Sequence, residues 1–162
     1  MHFRLKYWLP AILMGVLISV FSTHFFSSER TAHFIIPILH RLFPSASHHA
    51  LHLVHVGIRK AAHVLEFGAF SIAVFHGLRA DRSGWRLNWA LITLLIAVCY
   101  ASLDEVHQIF VPLRQPSFRD VLIDSAGALL AQVFVWAYAR LHPNSGPESG
   151  RVDAVDQPAA SA

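Results

Sequence analysis

Charge is scarce in this chain: Asp, Glu, Lys and Arg make up 14% of its 162 residues, against 54% hydrophobic residues. A soluble domain carries about 25% charged residues. The composition therefore excludes an ordinary water-facing domain and indicates a membrane protein of one domain or one small bundle. Cysteine is nearly absent as well. Cys99 stands alone, so it makes no internal disulfide and says little about the redox compartment. The basic residues form no block, which makes a nucleic-acid partner a poor reading despite the formal charge of +3. Neither an H-E-x-x-H metal motif nor a serine nucleophile elbow occurs, and no internal repeat is evident.

Long apolar runs fill the space that charge leaves. Four stand out, at about Tyr7–Phe26, Ala61–Leu78, Asn88–Leu103 and Val121–Ala139, close to the roughly 20 residues that a membrane-crossing helix needs. The second and third are slightly short, so neighbours or polar ends must complete their spans. None alternates strictly as a barrel strand would, and in hydrocarbon the backbone must then satisfy itself as helix. The expected fold is all-α: a polytopic membrane helical bundle with four transmembrane helices and a partly helical loop between the first two. Arg4 and Lys6 precede the first run as in a secretory signal. That run exceeds the usual apolar core of about 7–15 residues, and SVFSTHFFSS offers no clear small-x-small cleavage site, so it reads as an anchor. The transmembrane domain is placed at residues 1–141. A tail at 142–162, with Pro143, Gly146, Pro147, Gly150 and Pro158, is expected to be disordered.

Between the first two runs, Ser27 to Ile58 is too long for a structureless connection in a small bundle. Arg30–Phe43 mixes apolar and basic residues and is expected to be helical, kinked at Pro37, and Ser47–Ile58 is expected to continue into the second span. Both pieces suit the membrane interface or a cap on the bundle. His48, His52 and His55 share a helical face, but no carboxylate or cysteine joins them, so histidines tolerated at an interface are a better reading than a metal site. The four tryptophans, Trp8, Trp85, Trp89 and Trp136, lie near predicted span ends and read as interfacial anchors.

Polarity concentrates at Ser102–Asp124, SLDEVHQIFVPLRQPSFRDVLID, between two strongly apolar runs. Alternation of the spans brings the start of the second, the end of the third and the start of the fourth to one side of the membrane. That side then carries Arg59, Lys60, His63 and Glu66; Asp104, Glu105, His107 and Gln108; Arg114; and Asp120 and Asp124. Charges inside a membrane are costly and mark functional sites by default. Glu66, about 9 Å along its helix from Lys60, should want a partner, which Lys60, Arg114 or His63 could supply. Gly127 and Ala131 form a small-xxx-small pair suited to close helix approach. Lys and Arg divide almost evenly between the two sides, but compact groups at the N-terminus and at 79–86 favour a cytoplasmic location for both termini.

In order along the chain, Arg59-Lys60-x-x-His63-x-x-Glu66-Phe67, Asp104-Glu105-x-x-Gln108, Pro112-x-Arg114, Ser117, Asp120-Val121-Leu122-Ile123 and Gly127 resemble the VanZ-like membrane proteins over about Ser19 to Ala131. Two departures show: the family usually has Asn at the position of Asp124 and often Gly at that of Ala131. The resemblance implies a role at the cell envelope of an inner or plasma membrane, since the family's namesake is associated with resistance to teicoplanin and its lipid-bearing relatives.

Three readings of the cluster stand side by side. As a binding site, Arg59, Lys60, His63, Glu66, Asp104, Glu105, Gln108, Arg114, Asp120 and Asp124 would hold the headgroup of an envelope lipid or a glycopeptide-like ligand, with Arg119 a further cation suited to phosphate or carboxylate. As an enzyme, His63 or His107 would be the base, Asp104, Glu105 or Asp120 a metal ligand or orienter and Arg114 an oxyanion stabiliser, with His63, Asp104 and His107 the weak candidates for a metal. As a structural network, Asp104, Arg114 and Asp120 would fix the turn between the last two helices, with Lys60 paired to Glu66. No cofactor is expected, and the expected partners are membrane lipids.

Overall fold

The computed structural model describes residues 5–112, 114 and 116–142. Five α-helices form its architecture: α1 (Leu5–Phe21), α2 (Ser28–Leu42), α3 (His48–Arg79), α4 (Leu87–Ile109) and α5 (Phe118–Leu141), with a short 3₁₀ turn, His24–Phe26, between α1 and α2. Among the described residues there is no strand. The tail expected to be disordered lies, from residue 143 onward, outside them.

Serines start three of these helices. Ser27, Ser47 and Ser117 each accept a hydrogen bond from a first-turn amide, those of Arg30, Ala50 and Arg119 respectively, and so satisfy one of the donors that a helix start leaves open. The α1 helix ends at Phe21, short of the expected Phe26, where Ser22 and Thr23 break the apolar run and Arg114 takes up the carbonyls of Phe21 and Thr23. The α2 helix keeps Pro37 inside one helical element. Pro37 and His33, whose carbonyl loses its i+4 donor there, are both exposed residues. The α3 helix joins the expected Ser47–Ile58 piece to the second span in one 32-residue rod, about 48 Å at 1.5 Å per residue.

The α3, α4 and α5 helices are each long and apolar enough to cross a membrane; α1 and the helical stretch His24–Leu42, bent by 68° at the break between them, are apolar enough to make a fourth span if the pair is counted as one. This is a multi-pass helical membrane bundle. Its periphery is apolar, with Leu95 63%, Leu130 62% and Phe134 65% exposed, as a surface solvated by lipid tails requires.

The α3 helix is the hub, packing against α1, α2, α4 and α5. Phe67, Phe70 and Val74 of α3 fill the centre, and Ala11, Ala97, Ala101 and Ala128 let the other helices close upon them. The tightest crossing is α3 on α5, where a Cβ on Gly127 would stand 2.4 Å from the Val64 carbonyl oxygen. Gly127 admits backbone where any side chain would collide. Two turns farther along α3, Ser71 donates to the Ala128 carbonyl (3.1 Å) and receives the Gln132 amide (2.8 Å), closing polar groups against each other within the apolar region. Trp89 is not an exposed anchor: it is buried against Phe75, with Arg82 and Arg86 over its ring.

Candidate functional site

Three helix ends, the C-termini of α1 and α4 and the N-terminus of α5, meet the middle of α3 at one end of the bundle. An α-helix leaves its last four carbonyls unpaired, and α1 ends inside the bundle. The amides of Ser22 and Thr23 take up the Ile18 and Val20 carbonyls, and Arg114, from the α4–α5 connection, reaches that of Phe21 and, just beyond the helix, that of Thr23. Its Nε and Nη2 donate to Thr23 O at 3.3 and 3.2 Å, and Nη2 also donates to Phe21 O. A cation at a helix C-terminus also suits the macrodipole. Burial lowers the pKa of Arg114 from the usual arginine value, and the nearby Arg59 lowers it further, although arginine keeps its charge under ordinary conditions.

Arg59 makes a matching set of bonds on the next segment. Its Nη1 donates to Phe26 O (2.9 Å) and to Thr31 Oγ1 (3.3 Å). Thr31 also meets His55 Nε2 at 3.1 Å, and His55 is fully buried. These bonds dock α2 on α3. His55 thus serves a helix junction, and among the described residues no three His, Cys, Asp or Glu side chains form a group that could hold a metal ion.

On α4, Ser22 Oγ donates to Asp104 Oδ2 at 2.6 Å, and Gln108 Nε2 donates to the same oxygen at 2.9 Å and to Glu105 Oε1 at 3.4 Å. Glu105 Oε2 accepts the amide of Ser117, the N-cap of α5, at 2.7 Å. The Asp-Glu-x-x-Gln spacing places these groups on adjoining turns of one helix. Asp104 faces α1, while Glu105 and Gln108 hold the entry to α5. Between α3 and α5, Lys60 pairs with Asp120 at 3.3 Å on the outside and His63 Nδ1 with Asp124 Oδ1 at 3.1 Å inside. Asp124 is fully buried and its Oδ2 has no partner among the described residues.

The pairings within the structural reading need correction. Lys60 pairs with Asp120 rather than Glu66, and Asp104, Arg114 and Asp120 form no ion pair with one another. The carbonyls of Phe21, at the end of α1, and of Thr23 just beyond it take Arg114 instead. His107 also departs from the cluster. It is about 60° around α4 from Asp104 and lines a separate groove with Thr23 and Tyr100. Arg119 is exposed at the start of α5. Ser22, placed by the sequence at the end of the first span where it could face the cluster, does so through Asp104; Thr31 joins the site although its sequence context gives little sign of it, because threonine commonly bonds its own helix. Thr31 does so as well, to Ser27 O at 2.9 Å.

Two cavities open at this junction. The first, about 210 Å³, is lined by apolar Ile18, Phe21, Phe26, Ile35, Ile58 and Ala62, with Arg59, His63, Glu66, Asp104 and Arg114 also on its wall. The second, about 350 Å³, is polar, with Ser28, Glu29, Lys60, Gln108 and Asp120. Arg59, His63 and Arg114 line both. Neither arginine has a carboxylate within hydrogen-bond or ion-pair distance among the described residues, and Glu66 has neither kind of partner.

The fold and this junction define a multi-pass helical membrane protein with a charged cavity at one end of its bundle. The sequence profile of the VanZ/LLP1 family matches residues 7–139, and the chain belongs to that family. No curated protein and no solved structure matches it.

Proposed function

We propose that this protein recognises the headgroup of a lipid-anchored molecule of the cell envelope. The observation that supports this is the shared wall: Arg59, His63 and Arg114 stand between an apolar-lined cavity and a polar one. That is the arrangement an amphiphile requires, with its head on the cations and its tail in the apolar space. Guanidinium groups without a carboxylate partner are costly to hold half-buried, and a bound phosphate or carboxylate removes that cost. Both termini are cytoplasmic in this reading, as the basic residues at Arg79, Arg82 and Arg86 favour, and the cavity opens on the extracytoplasmic side.

Teicoplanin-type antibiotics carry a lipid tail and act in that compartment, so they fall within the ligand class. The test is teicoplanin susceptibility of a sensitive host expressing the wild type, Asp104→Asn, Arg114→Gln or Asp120→Asn, with membrane abundance measured for each. Protection that the variants lose at equal abundance supports the reading. Absence of protection by abundant wild type removes antibiotic resistance from it.

A second reading, an acid–base enzyme acting on an envelope lipid, draws on the His63–Asp124 pair. The pair orients the imidazole through Nδ1 and leaves Nε2 unbonded among the described residues. Turnover of a lipid headgroup by the purified protein, lost in Asp124→Asn, is the result that would favour it.

A further inference from the structure

Arg59, Arg114 and Glu66, charges of both signs on the wall of the apolar-lined cavity, make no ion pair among the described residues, whereas His63 on that wall pairs with Asp124. Arg59 and Arg114 spend their observed hydrogen bonds on neutral acceptors, the carbonyls of Phe21, Thr23 and Phe26 and the Thr31 hydroxyl. Asp104 takes two hydrogen bonds from neutral donors, Ser22 and Gln108, on its Oδ2. Glu66 differs: half-buried on the same wall, it takes no hydrogen bond and no ion pair from the described residues. A ligand that is only an anion would satisfy the arginines and leave the carboxylate both unpaired and repelled.

Resting on the headgroup reading above, we propose that the ligand is a zwitterionic amphiphile, with its phosphate or carboxylate on Arg59 and Arg114 and its ammonium on Glu66. Each charge of such a headgroup meets its opposite in a space partly shielded from water, where charge-assisted hydrogen bonds are strongest. The apolar side chains of Phe21, Ile35 and Ile58 lie on the same cavity and accept the first part of its tail. An anionic lipid without an amine loses the Glu66 contact, and a cationic amphiphile meets the two guanidiniums.

The test uses the full chain in detergent and native mass spectrometry. It compares phosphatidylethanolamine with N-acetylated phosphatidylethanolamine, which keeps the phosphate and the tails but has no ammonium. The wild type is expected to prefer the free amine by about tenfold, the size of one charge-assisted contact. In Glu66→Gln, nearly the same shape without the charge, that ratio falls to about one, with thermal unfolding recorded to confirm the fold. Equal binding of both lipids by the wild type, or an unchanged ratio in the variant, overturns the zwitterion inference while the headgroup reading stands. Binding of neither lipid overturns both.

Discussion

Arg114 shows how one side chain can serve both fold and site. It closes the open end of α1 and also forms part of the cation wall. Arg114→Lys keeps the charge but cannot bridge Phe21 and Thr23 with a planar fork. It should cost about 1.5–3 kcal/mol, the worth of a hydrogen bond to a charged group, read as a lower unfolding midpoint in detergent. The His63–Asp124 pair gives a sharper case. Removing one member, as in Asp124→Ala, strands the other and should cost about 3–5 kcal/mol, whereas the double replacement His63→Leu with Asp124→Leu should be nearly neutral. Unfolding measurements on the three proteins check this, and a double variant that stays folded but retains no lipid would assign the pair to binding. The acidic and basic residues of this junction were legible in the sequence because charges within apolar runs are conspicuous. Their partners were not. Pairing depends on rotation about each helix axis: 60° separates His107 from the face of Asp104, and that angle can be interpreted only once the neighbouring helices are in place.

At the scale of elements, two contacts decide the shape of the cavity. The crossing of α3 and α5 depends on Gly127, whose missing side chain admits the Val64 backbone. Gly127→Val should displace the crossing and deplete folded protein from the membrane, a larger effect than the ~1–3 kcal/mol typical of overpacking, because the obstacle is backbone. Quantitative blotting of membranes against Ala126→Val, at a neighbouring exposed position, measures it. The other contact is α2 on α3 through Thr31, His55 and Arg59. Thr31→Val removes that hydroxyl from the buried His55 and should loosen α2. Hydrogen exchange of Ser28–Leu42 is expected to quicken while that of α5 stays slow. Sequence pattern reached the helices themselves, including the continuation of Ser47–Ile58 into the second span and the close approach at Gly127. The early end of α1 escaped it, since Phe25 and Phe26 extend the apolar run beyond the point where Arg114 captures the carbonyls.

At the scale of the whole molecule, the spans fix which ends meet, and the proposed orientation fixes which compartment they face. In a Cys99→Ser background, Ser83→Cys should react with a membrane-impermeant maleimide only after the membrane is opened, and Phe118→Cys should react in intact cells. The reverse pattern would turn the protein over and move its ligand to the cytoplasmic leaflet. Neither result alters the convergence of α1, α3, α4 and α5, which follows from the packing. The central claim, that Arg59, His63 and Arg114 hold an amphiphile headgroup with its tail in the apolar-lined cavity, is tested most directly by photocrosslinking. A lipid with its photoreactive group near the head would be incorporated into membranes that contain the full chain. The account predicts labelling concentrated on peptides containing Phe21, Ile58 and Ala62, reduced in Arg59→Gln with Arg114→Gln at equal abundance. Labelling spread evenly over the outer faces at Leu95, Leu130 and Phe134, and unchanged in that variant, would contradict it.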